Sequence, residues 1–202
     1  MGTSFDHPKA RGTLRVLQLA HARWQDVFSR LDGMKFDDLN GREEVAYLIR
    51  GPAVEFLMWA RGLDDFCRGM PERRNGKLVP TQPPLAGYES ARVQVAGLVD
   101  GARYATHREV HQLLALMEPK GAMKFPILPL AFDHFGGVQW LHDAHLPPAN
   151  EERSGQLPLR QAYVDNLAGQ KVGPTLDDLR AWFEGQLPWR EGSSAGAPGP
   201  QR

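Results

Sequence analysis

The densest group of side chains that could do chemistry lies between positions 103 and 111. It contains Arg103, Tyr104, His107, Arg108 and His111. His107 and His111 are four residues apart, so a helix would bring both imidazoles to one face. Imidazoles at this spacing can chelate a metal or transfer protons, and the arginines can stabilise a developing anion. These residues are therefore the candidate site of the chain.

The two histidines do not form the zinc-protease signature HExxH. The letters from 107 to 111 read HREVH, so Arg108 occupies the place of the catalytic glutamate. Glu109 lies about 200° around a helix from His107, where its carboxylate would face away from the imidazole. A guanidinium beside a divalent cation would also repel it. The sequence therefore excludes a metalloprotease of this type.

A second group of metal-binding residue types follows in the segment FDHFGGVQWLHDAH. Its side chains are Asp133, His134, His142, Asp143 and His145. Their spacing matches no known arrangement of zinc ligands. We therefore expect no metal and no cofactor, and we interpret these histidines as surface or half-buried groups bonded to carboxylates.

The run ARYATHREVH resembles the motif of HEPN-type ribonucleases, which are helical bundles with an arginine and a histidine on one helix. In that family four to six residues separate the two. Here three residues separate Arg103 from His107, seven separate Arg103 from His111, and two separate Arg108 from His111. The match covers about ten residues.

The resemblance implies a metal-independent ribonuclease, or a degenerate relative of one. The catalytic residues that it implies are Arg103, His107, Arg108 and His111. An arginine would stabilise the charge of the phosphorane and an imidazole would move the proton of the 2′-hydroxyl. Nucleic acid would be the partner, and a homodimer would place two motifs across one groove.

A structural role for the same group is the other interpretation. Asp100 lies three and four residues before Arg103 and Tyr104, so a helix would let its carboxylate bond to either side chain. An unpaired polar group inside a bundle costs about 1–3 kcal/mol. Buried arginines satisfied by such partners would therefore fix how the helices pack.

The sequence contains no GxGxxG, P-loop, GxSxG or CxxC motif, which removes the commonest nucleotide-binding and hydrolase classes. Because no complete catalytic group remains, the leading hypothesis is a soluble, non-enzymatic protein-binding or regulatory module with a protein partner. The ribonuclease is the alternative. It requires arginine and histidine side chains that converge in an open groove, whereas the binding module requires an exposed apolar patch elsewhere.

Helices must position these groups. Residues 89–117 contain no proline and have apolar residues at helical spacing, which predicts the central helix. Gly97 and Gly101 lie four residues apart and predict close packing of this helix against a neighbour. Residues 71–88 contain four prolines and two glycines and predict a surface loop.

Two further long helices are predicted before this loop. The first takes Thr13 as its N-cap and ends at Asp32 and Gly33. The second spans about residues 42–70, with a kink or a break at Pro52. The core residues expected on the second helix are Val45, Leu48, Ile49, Val54, Leu57, Met58, Trp59, Ala60 and Leu63.

Residues 119–157 are rich in proline and predict an irregular insert. Within it, 124–132 should be extended, 135–138 should form a turn and the following residues should return as a small β-hairpin. A short helix at 158–167 and a last helix capped by Thr175 complete the prediction of a mainly α helical bundle. This order of elements resembles that of helical proteins common in GC-rich actinobacteria.

The length of 202 residues suits one domain. We expect a flexible lead-in at 1–12, a helical domain at 13–189 and a disordered tail at 190–202. The 24 Lys and Arg balance the 24 Asp and Glu, so no global field attracts nucleic acid. No apolar run reaches the ~20 residues of a membrane span. The single Cys67 cannot form an internal disulfide, and we expect a cytoplasmic protein.

Overall fold

The computed structural model describes residues 8–39, 41–75, 77–79, 82–111, 117–122, 134–146 and 156–187. These residues form a helical bundle with two small two-stranded antiparallel sheets beside it, which confirms the predicted fold class of a mainly α bundle with a hairpin. Among these residues no helix has the length and apolar character needed to cross a membrane. The predicted tail at 190–202 and the first seven residues lie outside the described part.

Helix α1 spans Pro8–Leu31 and buries one apolar stripe of Leu14, Leu17, Ala20 and Trp24. It begins at Pro8 rather than at Thr13, because proline suits the first turn of a helix, where its missing N–H costs nothing. The Thr13 hydroxyl instead donates a hydrogen bond to the Lys9 carbonyl, 2.9 Å away inside the helix. The predicted N-cap is therefore wrong. The predicted end of α1, just before Asp32 and Gly33, is confirmed.

Helix α2 spans Arg42–Cys67 and runs through Pro52 as one helix, so the predicted break is wrong. The proline lies on a half-buried side of α2. Helices α1 and α2 pack antiparallel, as two contacts show. Arg23 pairs with Glu55, and the Lys9 Nζ lies 5.1 Å from the centre of the Phe66 ring.

The segment after α2 is more ordered than the predicted loop. Strands β1 (Glu72–Arg74) and β2 (Lys77–Val79) form an antiparallel pair. Helix α3 (Tyr88–Arg92) and a 3₁₀ turn at Val93–Val95 lead into α4 (Ala96–His111). The predicted central helix is therefore divided at its start. It also ends earlier, because Met117 pairs with Trp140 in a sheet.

The predicted hairpin is present, but its geometry differs from the prediction. Strand β3 (Met117–Ala122) pairs antiparallel with β4 (His134–Trp140). The expected turn at 135–138 lies inside β4. Pro119 faces Val138 and Gly121 faces Phe135, so two glycines oppose one residue in a β-bulge. Gly137 has a φ of 132°, which explains why glycine occurs there. The predicted extended segment at 124–132 lies outside the described residues.

Helices α5 (Leu157–Asn166) and α6 (Val172–Gln186) complete the bundle. Thr175 is not the cap of α6, because it lies inside the helix. Its hydroxyl donates to the Lys171 carbonyl at 3.1 Å and accepts the Trp140 indole N–H at 3.0 Å. This contact fastens the sheet to α6. The main core lies between α1, α2, α4 and α6 and includes Leu14, Leu17, Ile49, Phe56, Leu57, Leu63, Ala105, Leu176, Leu179 and Phe183.

The predicted close packing at Gly97 and Gly101 is confirmed. A Cβ placed on Gly97 would lie 2.6 Å from the Asn166 side chain, and one on Gly101 would lie 2.7 Å from Leu167 Cδ1. Both neighbours belong to α5 or to the turn that follows it. The missing side chains therefore let α4 and α5 approach closely, which positions the rest of α4.

We expect Gly101→Ala to lower the free energy of unfolding by about 1–2 kcal/mol. The gain in helix propensity is about 1 kcal/mol, but the new methyl group would lie 3.2 Å from the Tyr163 Cα, which cannot easily move. Gly12→Ala in α1 is the matched control, since no atom lies within 4 Å of its Cβ. Urea unfolding should show the control unchanged or stabilised. A more stable Gly101→Ala variant would contradict the close packing.

Candidate functional site

A buried carboxylate, Asp64, is the centre of the polar network in this fold. Its side chain is fully buried on α2. The Tyr88 hydroxyl donates to Asp64 Oδ1 at 2.9 Å, Arg92 Nε donates to the same oxygen at 2.8 Å, and Arg103 Nη1 donates to Oδ2 at 2.7 Å. One carboxylate therefore joins α2, α3 and α4.

Two further carboxylates complete the network. Arg103 Nη1 also donates to Asp65 Oδ1 at 2.6 Å, and Arg92 Nη2 donates to Asp100. Burial lowers the pKa of both guanidiniums, but their carboxylate partners outweigh it and raise the pKa above the ordinary value. Asp100 bonds to Arg92 on α3 rather than to Arg103 or Tyr104 as expected. The network keeps both arginines charged and paired inside the protein.

Arg108 lies on a different side of α4 from Arg103. The two positions are about 140° apart around the helix, so Arg103 faces α2 while Arg108 lies beside Tyr104. Arg108 is 2% exposed, and its guanidinium carbon lies 5.8 Å from the centre of the Tyr104 ring. Within the described part of the chain, neither Arg108 Nε nor the Tyr104 hydroxyl has a hydrogen-bond partner. The Tyr104 ring packs in turn on Tyr163 of α5.

The two histidines lie towards the end of α4. His107 is half-buried, and His111 is the last residue of the helix, with a side chain outside the described part. The four residues of the HEPN-like motif therefore do not share one environment. Arg103 is engaged by two carboxylates, and Arg108 is enclosed on another face. A phosphate would have to displace the two carboxylates from Arg103, and it could not reach Arg108 without a rearrangement.

The second histidine-rich segment forms an exposed turn. His142, Asp143 and His145 are all exposed, and Asp143 lies 3.5 Å from Arg160 of α5. Asp133 and the His134 side chain lie outside the described residues. Among the residues that are described, no three His, Cys, Asp or Glu side chains form a group that could hold a metal ion.

Cys67 and Tyr88 are buried beside Asp64, and both hold their protons tightly. Burial, with a smaller contribution from the Asp64 charge, raises the pKa of Cys67 from 9.0 to about 12. Burial and the same carboxylate also raise the pKa of the Tyr88 phenol far above its ordinary value. The Cys67 thiol is therefore neutral and enclosed, which is the opposite of an activated nucleophile.

A surface groove of about 620 Å³ lies between the start of α1, the second half of α2 and α4. Its walls combine cationic and apolar side chains, among them Lys9, Trp59, Arg61, Phe66, Met70 and Arg103. The carboxylate of Asp65 in this groove is already bonded to Arg103 and lies 3.6 Å from Arg61 Nε. Asp65 in this groove is therefore already paired with two arginines.

Next to this groove, α2 exposes large apolar residues that sequence reasoning placed in the core. Leu48 is 44% exposed, Met58 is 51% exposed and Trp59 is 38% exposed, and Tyr47 beside them is 73% exposed. With 100° per residue, the four lie within about 120° of the helix circumference. Ile49, Phe56 and Leu63 fill the core, and Leu48 and Trp59 lie at the border of that buried face. We call these four residues the α2 stripe.

The α2 stripe is unusual because large apolar side chains of a bundle normally lie inside. Gly51 and Gly62 lie on the same exposed side, and no atom lies within 4 Å of a Cβ placed on either. In the described part of the chain, this side of α2 is therefore open at both glycine positions, while Arg23 of α1 reaches Glu55 between them. This side of α2 therefore presents large apolar side chains to solvent. No protein-family model, curated protein or solved structure matches the chain.

Proposed function

We propose that this chain is a non-enzymatic helical module that binds another protein through the α2 stripe. The observation that carries this proposal is the exposure of Tyr47, Leu48, Met58 and Trp59 along one face of a single helix. Burying such a stripe against a partner removes apolar surface from water, at roughly 25 cal/mol per Å². The proposed compartment is the cytoplasm, which the free, buried thiol of Cys67 fits.

The internal pairing of the polar network supports the non-enzymatic part of the proposal. Arg103 would have to leave Asp64 and Asp65 before it could stabilise a phosphorane, and separating it from buried carboxylates is costly. Arg108 is enclosed beside Tyr104. The ribonuclease implied by the HEPN-like motif is the alternative, and it requires these arginines to meet a histidine in open solvent.

A photo-crosslinking residue placed at Met58 tests the proposal in the cells that make this protein. We expect irradiation to attach position 58 to a protein in high yield. The same probe at Leu78, which is 66% exposed on β2 and outside the α2 stripe, should give little product. Equal yields at the two positions, or no product at either, would refute the α2 stripe as a contact surface.

A second arm of the same experiment concerns catalysis. The purified chain should leave RNA intact with and without a chelator. Chelator-resistant cleavage that is abolished by Arg108→Ala, in a variant shown by circular dichroism to be folded, would favour the ribonuclease and overturn the non-enzymatic proposal. The Arg15→Ala variant, at an exposed position on α1, controls for loss of positive charge.

A further inference from the structure

The α2 stripe has the same arrangement of residue types when it is read in either direction. Tyr47 and Leu48 lie six and five residues before position 53, and Met58 and Trp59 lie five and six residues after it. Helical periodicity alone would allow a stripe to be centred at many positions. The match between an aromatic and an aliphatic residue on each side selects position 53.

The residues between and beyond these pairs differ in type across position 53, but they are complementary in size. Gly51 and Glu55 lie two residues on either side of position 53, and Glu44 and Gly62 lie nine residues on either side. An antiparallel copy of α2 would therefore place each glutamate across from a glycine. Both glycines have open space at their Cβ positions, so the glutamate side chains would meet no obstacle. Glu55 is paired with Arg23 of α1, whose Nε donates to its carboxylate at 3.0 Å.

Charged residues on one edge of the stripe are complementary in the same arrangement. Glu43 is exposed and Arg61 is half-exposed, and they lie at the same angle around α2, eighteen residues apart. In an antiparallel pair each Glu43 would lie within about 3 Å, along the axis, of the Arg61 of the other copy. The edge would therefore carry two equivalent ion pairs. A contact between identical surfaces related by a two-fold axis has this pattern.

We propose that the partner of the α2 stripe is a second copy of this chain, packed antiparallel about a two-fold axis near position 53. This inference rests on the proposed function and names its partner. The contact involves about 27 Å of one helix from each copy, which places it among the smaller interfaces, below roughly 1,200 Å². We therefore expect a reversible dimer that forms as the protein concentration rises.

Sedimentation equilibrium of the full chain, over about 1–300 µM, measures this association. We expect Met58→Glu to weaken it at least tenfold. Val93→Glu is the matched control, because Val93 is 76% exposed on another surface and its charge should leave association unchanged. A wild-type chain that remains monomeric, or two variants that behave alike, would overturn the dimer.

Engineered cysteines test the antiparallel register. A mixture of Leu48→Cys and Met58→Cys chains should form a mixed disulfide on oxidation, because these positions lie across from each other. Leu48→Cys alone should crosslink poorly, since its two copies would be about 15 Å apart along the helices, beyond the reach of a disulfide. Buried Cys67 does not compete. Efficient crosslinking of Leu48→Cys alone would refute this register.

These outcomes separate the dimer from the proposed function. If the chain is monomeric and its probe at position 58 attaches to a different protein, the dimer is refuted and the binding module stands. If the probe attaches to nothing, both are refuted. A photo-product with twice the mass of the chain, together with the mixed disulfide, supports both.

Discussion

Asp64→Ala is expected to lower the free energy of unfolding by about 3–5 kcal/mol, because it removes one partner of a buried ion network and leaves the other charges behind. The carboxylate is fully buried and accepts hydrogen bonds from Tyr88, Arg92 and Arg103. Arg92 would keep Asp100 and Arg103 would keep Asp65, and the link between α2 and α3 would be left to the more exposed pair of Arg68 and Glu89. Urea unfolding followed by tryptophan fluorescence measures the loss.

Two further variants make this prediction specific. Asp64→Asn keeps the shape of the side chain and removes its charge, so it should lose most of the same free energy. Asp26→Asn is the control, because its ion pair with Arg30 is exposed on both sides and such pairs contribute less than about 1 kcal/mol. If Asp64→Asn unfolds at the same urea concentration as wild type, the network does not hold the helices together.

The helical core was predictable from the sequence because it depends on local periodicity. The buried residues of α1 and α6, such as Leu17 and Phe183, occur at the spacing of one helical face. The glycine pair on α4 was predictable for the same reason, since two absent side chains four residues apart leave one face open. The exact start of α6 was not predictable, because the helix begins at Val172 after Lys171, whose side chain makes no capping hydrogen bond.

The Asp64 network was missed because its contacts are distant in the sequence. Asp64 meets Tyr88, Arg92 and Arg103, which lie 24, 28 and 39 residues further on. Spacing within α4 therefore gave Asp100 as the expected partner of Arg103. One local signal was available. Asp64 lies four residues after Ala60 and three before Cys67, on the buried face of α2, and a carboxylate at that phase requires a cationic partner.

The exposure of the α2 stripe was not predicted from the sequence either. Residue type places Leu48, Met58 and Trp59 in a core, and helical phase places Leu48 and Trp59 beside the core residues Phe56 and Leu63, so the sequence pattern does not show that they are exposed. An apolar residue on the polar side of an amphipathic helix is individually common. Only the structure shows that these residues are all exposed on one side of α2, with Glu55 and its partner Arg23 between the two apolar pairs.

The second large effect is expected at high pH, where the free energy of unfolding should fall as the buried thiol and phenol oppose ionisation. The folded chain holds the Cys67 proton up to a pKa of about 12, whereas the unfolded chain releases it near the ordinary value of 9.0. Above pH 9 the unfolded state therefore binds fewer protons, and stability decreases as the pH rises. The stabilisation is complete below pH 9 and is lost as the pH approaches about 12. By pH 11 Cys67 alone should account for roughly 3 kcal/mol.

Cys67→Ala isolates this contribution. Its unfolding free energy should decline less steeply than that of wild type between pH 9 and pH 11, as measured by urea unfolding at each pH, and the remaining slope should include Tyr88, whose pKa is also raised by burial. If the unfolding free energies of the two proteins fall equally steeply with pH, the thiol is not enclosed. Because burial affects the pKa of Cys67 more than the Asp64 charge does, a folded Asp64→Asn variant should retain most of the alkaline slope. The variant would thereby separate the enclosure of the thiol from the charge that lies beside it.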